Sequence, residues 1–117
     1  MSKSKVEGLG KWEKWVNTLP IKVAKRTKEA VAESGLKVET DAKWNAPVDL
    51  GRLEDSISHE IINSGYTAEV FTDIEYALAV ELGTMYQEAQ PYMIPAFNKE
   101  YKKFQAKLKK INEGMVD

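Results

Sequence analysis

The chain has 117 residues, 43% of them hydrophobic and 30% charged, with a formal net charge of −1 and no cysteine. This balance fits one globular domain with a modest core and excludes disordered or collagenous chains. The near-zero charge supplies no global field toward nucleic acid or anionic lipid, and the lack of cysteine excludes disulfides and thiolate metal sites.

Residues 1–10 are polar, include two glycines, and are expected to be loose. Lys3 and Lys5 are followed by no apolar run, so a signal peptide is not expected. Trp12, Trp15, Val16 and Leu19 recur at i, i+3, i+4 and i+7, which predicts a short helix interrupted by Pro20. Its tryptophans would pack inward or meet a partner. From Ile21 to about Lys43 the composition is strongly helical. The inward stripe reads Ala24, Thr27, Val31, Ser34 or Gly35, Val38 and Ala42. These small residues predict a close approach to a neighbour, with Gly35 as a candidate break.

The period changes at Ala46-Pro47-Val48-Asp49-Leu50-Gly51-Arg52-Leu53-Glu54-Asp55-Ser56-Ile57. Pro47 pushes Ala46 out of the α region and should end the helix. Asp49 can accept from the backbone N–H groups of Gly51 and Arg52, and Gly51 suits a left-handed or crowded position. Arg52 offers a planar fork for a carboxylate. From Ser56 the pattern alternates to Ile62, placing Ile57, His59 and Ile61 on one face. Asn63-Ser64-Gly65 is turn chemistry, and Tyr66 to Asp73 alternates again, so a β-hairpin is expected. Ile74, Ala77, Leu78 and Glu81 step by three and four, as in a short helix or an irregular segment. Gly83 to Gln90 has no period and reads as a mobile loop whose Met85 and Tyr86 would seek a partner. Pro95 can open a last helix with the stripe Phe97, Tyr101, Phe104, Leu108 and Ile111. No apolar run approaches the roughly 20 residues of a membrane-spanning helix. The fold class expected is α+β, with a long N-terminal helix and a C-terminal helix packed on a small antiparallel sheet.

Catalytic chemistry finds no support. His59 is the sole histidine, and its neighbour Glu60 points to the opposite strand face. The carboxylates lack metal-ligand spacing, and Gly8-x-Gly10 follows no strand. Lys99, Lys102, Lys103, Lys107, Lys109 and Lys110 crowd the last helix. They read as a solvated face, or as a weak, salt-sensitive phosphate contact. Arg52 and Glu81 are expected to pair with each other or across subunits. Residue patterns alone lead to a structural or binding module.

Three stretches carry a resemblance. Ala-Pro-Val-Asp-x-Gly-x-Leu-x-x-Ser-Ile at 46–57 is followed by Tyr76-Ala77-x-x-Val80-Glu81-Leu82-Gly83-Thr84 and by Gln90-Pro91-Tyr92-Met93-x-Pro95-Ala96. In this order they resemble the HK97 gp10-like family of tailed-phage head–tail joining, or tail completion, proteins. Leu50 stands where the family usually has Thr, and Leu82 where an aromatic residue is common. The resemblance implies a structural protein with no catalytic, cofactor or metal site. It implies a ring, usually of six copies, at the head–tail junction of a virion, assembled in the host cytoplasm away from membranes. The partners implied are further copies of itself, connector or adaptor proteins, and tail terminator or tail tube proteins, with non-specific contact to passing DNA. Its motif and interface residues would be Pro47, Asp49, Gly51, Arg52, Leu53, Ser56, Tyr76, Glu81, Gly83, Thr84, Met85, Tyr86, Pro91 and Tyr92. One contact patch is expected near the corner and Glu81, the other on the 83–90 loop or the hairpin. Two other readings are a small nucleic-acid-binding module using the lysine-rich helix and a host-directed regulatory protein of a prophage.

Overall fold

The computed structural model describes residues 20–114. The helix expected around Trp12 and Trp15, and the loose stretch 1–10, lie outside the described residues. Helix α1 covers Ile21–Asn45 without a break at Gly35. It buries Thr27, Ala30, Val31, Gly35, Val38 and Ala42, close to the stripe read from spacing. Its length is about 37 Å at ~1.5 Å per residue. It ends where Pro47 requires it to: Ala46 is extended, at φ −62 and ψ 142, while its N–H still bonds Ala42 O.

A turn closed by Leu50 N–H to Pro47 O leads into the short helix α2, Gly51–Ser56. Strands β1, Ser58–Ile62, and β2, Thr67–Phe71, form the expected antiparallel hairpin, with His59 opposite Val70 and Ile61 opposite Ala68. Asn63, Ser64 and Gly65 all take positive φ in the connection, as their turn chemistry allows. Helix α3 covers Ala77–Leu82 and helix α4 covers Met93–Asn112. The class is therefore α+β. Helix α1 stands between the other layers, packing on the hairpin with one side and on α4 with another. Its Val38 and Ala42 join Ala46, Leu53, Ile57, Ile74, Ala77, Val80, Tyr92 and Ala96 in one core. No described helix is long and apolar enough to cross a membrane.

Two local expectations are corrected. Gly51 has no positive φ, and a Cβ built there meets nothing within 4 Å. Its place is the first turn of a helix, where any side chain fits. The second concerns the first half of α4: its apolar stripe is half-buried at Phe104 and Leu108 and buried at Ile111, but uncovered at Phe97 and Tyr101. Ala96, Glu100 and Ile111 are buried, whereas Phe97 and Tyr101 remain 52% and 47% exposed. There the small Ala96, rather than the adjacent Phe97, joins Val38 and Ala42 of α1 in the core.

Helix α1 and strand β2 approach each other closely at Gly35. A Cβ on Gly35 would lie 2.7 Å from the Ala68 Cβ. Alanine in place of a helix-interior glycine ordinarily gains about 1 kcal/mol, but here the methyl groups collide and the hairpin must move. Gly35→Ala should therefore destabilise by about 1–3 kcal/mol, and adding Ala68→Gly should recover most of the loss. Urea denaturation of the single and double variants measures both effects.

Candidate functional site

The motif stretches converge where the end of α1, the corner with α2, the short α3 and the start of α4 meet. The start of α4 has a specific chemical need. A helix leaves its first backbone N–H groups without carbonyl partners, and Tyr92, which precedes Met93, has no side-chain oxygen placed to cap it. Glu81 supplies the acceptors. Its Oε1 accepts from the N–H groups of Met93 at 2.8 Å and Tyr92 at 3.4 Å, and its Oε2 accepts from Ile94 at 3.2 Å. The next position is Pro95, which has no N–H, so every orphan donor of that turn is accounted for. The carboxylate also faces the positive end of the helix dipole.

Tyr92 fastens the same junction. Its backbone O accepts from Asn45 Nδ2 at 3.3 Å, and its hydroxyl donates to Ala77 O at 3.2 Å. Burial, reinforced by the nearby Glu81 charge, pushes the Tyr92 phenol up to about 12. Ser56 ties the corner to the hairpin. Its hydroxyl donates to Leu53 O at 2.7 Å and pairs with the Thr72 hydroxyl, which accepts from Ile74 N–H at 3.3 Å.

The expected Arg52–Glu81 pair does not form. Arg52 instead makes a two-pronged contact with Glu75, Nη1 to Oε1 at 3.3 Å and Nη2 to Oε2 at 3.2 Å, on the exposed surface. The guanidinium lies 5.7 Å from the centre of the Tyr76 ring. Glu75 is held below the usual carboxylate range by a hydrogen bond from its own backbone N–H and then by Arg52. Pairing with Glu75, and more weakly with Tyr76 and Asp73, shifts Arg52 upward. Glu81 cannot answer Arg52 because it is buried and occupied by the α4 backbone. The cap expected from Asp49 is absent too: Leu50 is the N-cap of α2, and no side chain bonds there.

The loop after α3 is more ordered than its lack of period suggests. Gly83, at φ +78, ends α3, and a Cβ there would lie 2.7 Å from Ala89 N. Thr84 N–H donates to Gln87 O at 2.8 Å, Gln87 N–H to Thr84 O at 3.4 Å, and Tyr86 N–H to Thr84 Oγ1 at 3.1 Å. Gln90 N–H then bonds Val80 O at 2.8 Å and brings the chain back through the exposed Pro91. Met85 and Tyr86 form the tip of this tight turn, 87% and 91% exposed. Leu78 and Leu82 of α3 are also exposed.

Sequence reasoning missed Glu75 and the capping role of Glu81. The second had a signal, because Pro91-Tyr92 offers no local capping side chain before a helix. On α4, Lys107 reaches Glu33 at 2.7 Å and Lys99 reaches Asp41 at 3.7 Å, so part of the lysine-rich face is engaged with α1. The hydrogen bond from Lys107 is also the main reason Glu33 sits below the usual carboxylate range. His59 Nδ1 lies 3.2 Å from Glu39 Oε1 on α1. Among the described residues no cluster of His, Asp or Glu is placed to hold a metal ion.

Two outcomes are expected. Glu81→Ala should destabilise by about 2–3 kcal/mol by stranding backbone donors, with Glu81→Gln intermediate, whereas Arg52→Ala should leave the melting curve near wild type; thermal and urea melts of the three variants check this. Because the raised Tyr92 pKa favours the neutral phenol in the folded state, its contribution is complete below the ordinary value of 10 and is lost as pH rises through about 12. Urea midpoints across that interval should fall more steeply for wild type than for Tyr92→Phe.

A family model described as "Bacteriophage HK97-gp10, putative tail-component" matches residues 11–83. The first motif lies inside this match, the second reaches its end, and the third lies beyond it. No curated protein and no solved structure matches the chain. The match covers more than half of the sequence, and the chain belongs to the HK97 gp10-like family of phage tail components.

Proposed function

We propose that this chain is a neck protein of a tailed-phage or prophage virion, joining the DNA-filled head to the tail as a subunit of a ring, with six copies as the expected number. The observation that best supports a docking role is the turn at residues 84–87. It holds Met85 and Tyr86 outward on a hydrogen-bonded frame. An apolar tip that is already shaped loses little conformational freedom on binding, and tyrosine can bury its ring while its hydroxyl keeps a polar partner. Leu78 and Leu82, one turn apart on α3, are exposed as well. Among the motif residues, Glu81, Tyr92, Leu53 and Ser56 are engaged inside the fold, whereas Asp49, Gly51 and Arg52 at the corner, the turn and Pro91 are exposed and open to partners.

The role is mechanical. Subunits close through a heterologous contact, the turn meets a connector, adaptor, tail terminator or tail tube protein, and the central opening lets DNA pass. Assembly takes place in the host cytoplasm and the product resides at the head–tail junction. In a phage lacking the gene, filled heads and complete tails should accumulate unjoined, and normal infectious particles would overturn the reading. Complementation with the double variant Met85→Asp, Tyr86→Asp should lower the titre by roughly tenfold or more, as expected if docking is weakened by about 1.4 kcal/mol or more, while its melting curve stays near wild type.

A further inference from the structure

Sulfur enters this chain only through its four methionines, because it has no cysteine. Thiolates are ordinarily the first groups that a peroxide consumes, and without them the thioethers receive the oxidant. Two of the methionines lie among the described residues, and their surroundings differ. Met93 opens α4, is half-buried and packs against the core. Met85 stands at the tip of the turn after α3, nearly fully exposed, with Tyr86 beside it. An oxidant must reach the sulfur to react, so Met85 is the readier target of the two.

The turn does not depend on the group that would be modified. Its shape is held by the paired backbone groups of Thr84 and Gln87, by Tyr86 N–H donating to Thr84 Oγ1, and by Gln90 N–H donating to Val80 O. None of these bonds involves the Met85 side chain. In the reaction a thioether lone pair attacks one oxygen of the peroxide, the O–O bond breaks, an S–O bond forms, and water leaves. The sulfur gives up two electrons and the peroxide accepts them. The product is a polar sulfoxide where a flexible apolar side chain stood. In contact with water this leaves the fold undisturbed. Buried against an apolar partner surface, the new oxygen lacks a hydrogen-bond donor and opposes the contact.

We propose that Met85 is a modification site for peroxides, and that its sulfoxide form blocks docking while the fold stays intact. The proposal rests on the docking role of the 84–87 turn and adds a reversible chemical control to it. Reversal is open at the same place, since an exposed sulfoxide is accessible to the methionine sulfoxide reductases, one for each epimer. The control also has a direction in time. A free subunit presents the sulfur and a docked one covers it, so the oxidant acts before joining and not after.

Full-length protein is treated with hydrogen peroxide and digested, and its methionine peptides are followed by mass. Met85 should be oxidised severalfold faster than Met93, with a melting curve near that of untreated protein. Treated protein, freed of peroxide, is then added to an extract of the phage lacking the gene. It should yield severalfold fewer infectious particles than untreated protein, and treatment with both reductases should recover the yield. Met85→Leu, which keeps the apolar bulk but has no sulfur, should join equally well before and after peroxide. Equal oxidation of Met85 and Met93, or the same loss of yield in treated Met85→Leu, overturns the proposal. If treated wild type joins normally while the Met85→Asp, Tyr86→Asp variant does not, the control is overturned and the docking role stands. If that variant also joins normally, or untreated protein restores no joining, both are overturned.

Discussion

Four positions at the start of α4 would, in an ordinary helix, leave backbone N–H groups with nothing to donate to. Here a proline removes one, and a carboxylate eleven residues back in the chain, Glu81, accepts the other three. The rest of the junction follows from this contact. It fixes α3 against the entrance to α4 and sets Tyr92 in the core, where its ring joins Ala77 and Ala96 and its hydroxyl finds Ala77 O. It also determines where the 83–90 loop must begin and end. A charge buried to 7% exposure is tolerable because it meets fixed dipoles at hydrogen-bonding distance.

Periodicity made the long elements readable. The small-residue stripe of α1, the alternation of the two strands and the stop at Pro47 are local properties of the chain, and the fold obeys them. What could not be read was any feature that depends on which elements become neighbours. The α4 stripe held at Ile111 and in part at Phe104 and Leu108, but spacing alone could not show that Phe97 and Tyr101 stay uncovered while Ala96 and Glu100 are buried, because which face of a helix is covered depends on its neighbours. Gly51 was expected to be the demanding glycine of the corner, and the demand falls instead on Gly35, through packing against Ala68, and on Gly83, through its φ. Arg52 was legible as a carboxylate partner, but the choice of Glu75 over Glu81 is a tertiary fact. It follows from Glu81 being drawn inward by α4.

The motif residues divide by environment into two groups. Leu53, Ser56, Glu81, Gly83 and Tyr92 hold the junction together from within, whereas Arg52, Met85 and Tyr86 stand on the surface it presents. A match to a family pattern does not distinguish these groups, but burial and hydrogen-bond partners do. The exposed group is mechanically dependent on the buried one, since Gly83 and the bond from Gln90 to Val80 anchor both ends of the turn. Under the proposed docking role, losses of function at the two groups would have different physical origins, one through the stability of the fold and the other through contact.

The shape of that turn is set by backbone atoms, by the Thr84 hydroxyl and by the freedom of Gly83; the side chains of Met85 and Tyr86 contribute nothing to it. These two positions are thus decoupled from the fold. If the tip docks a partner as proposed, selection for a different one could rewrite these positions, in size, polarity or charge, without passing through unstable intermediates. The frame is conservative and its tip is evolvable.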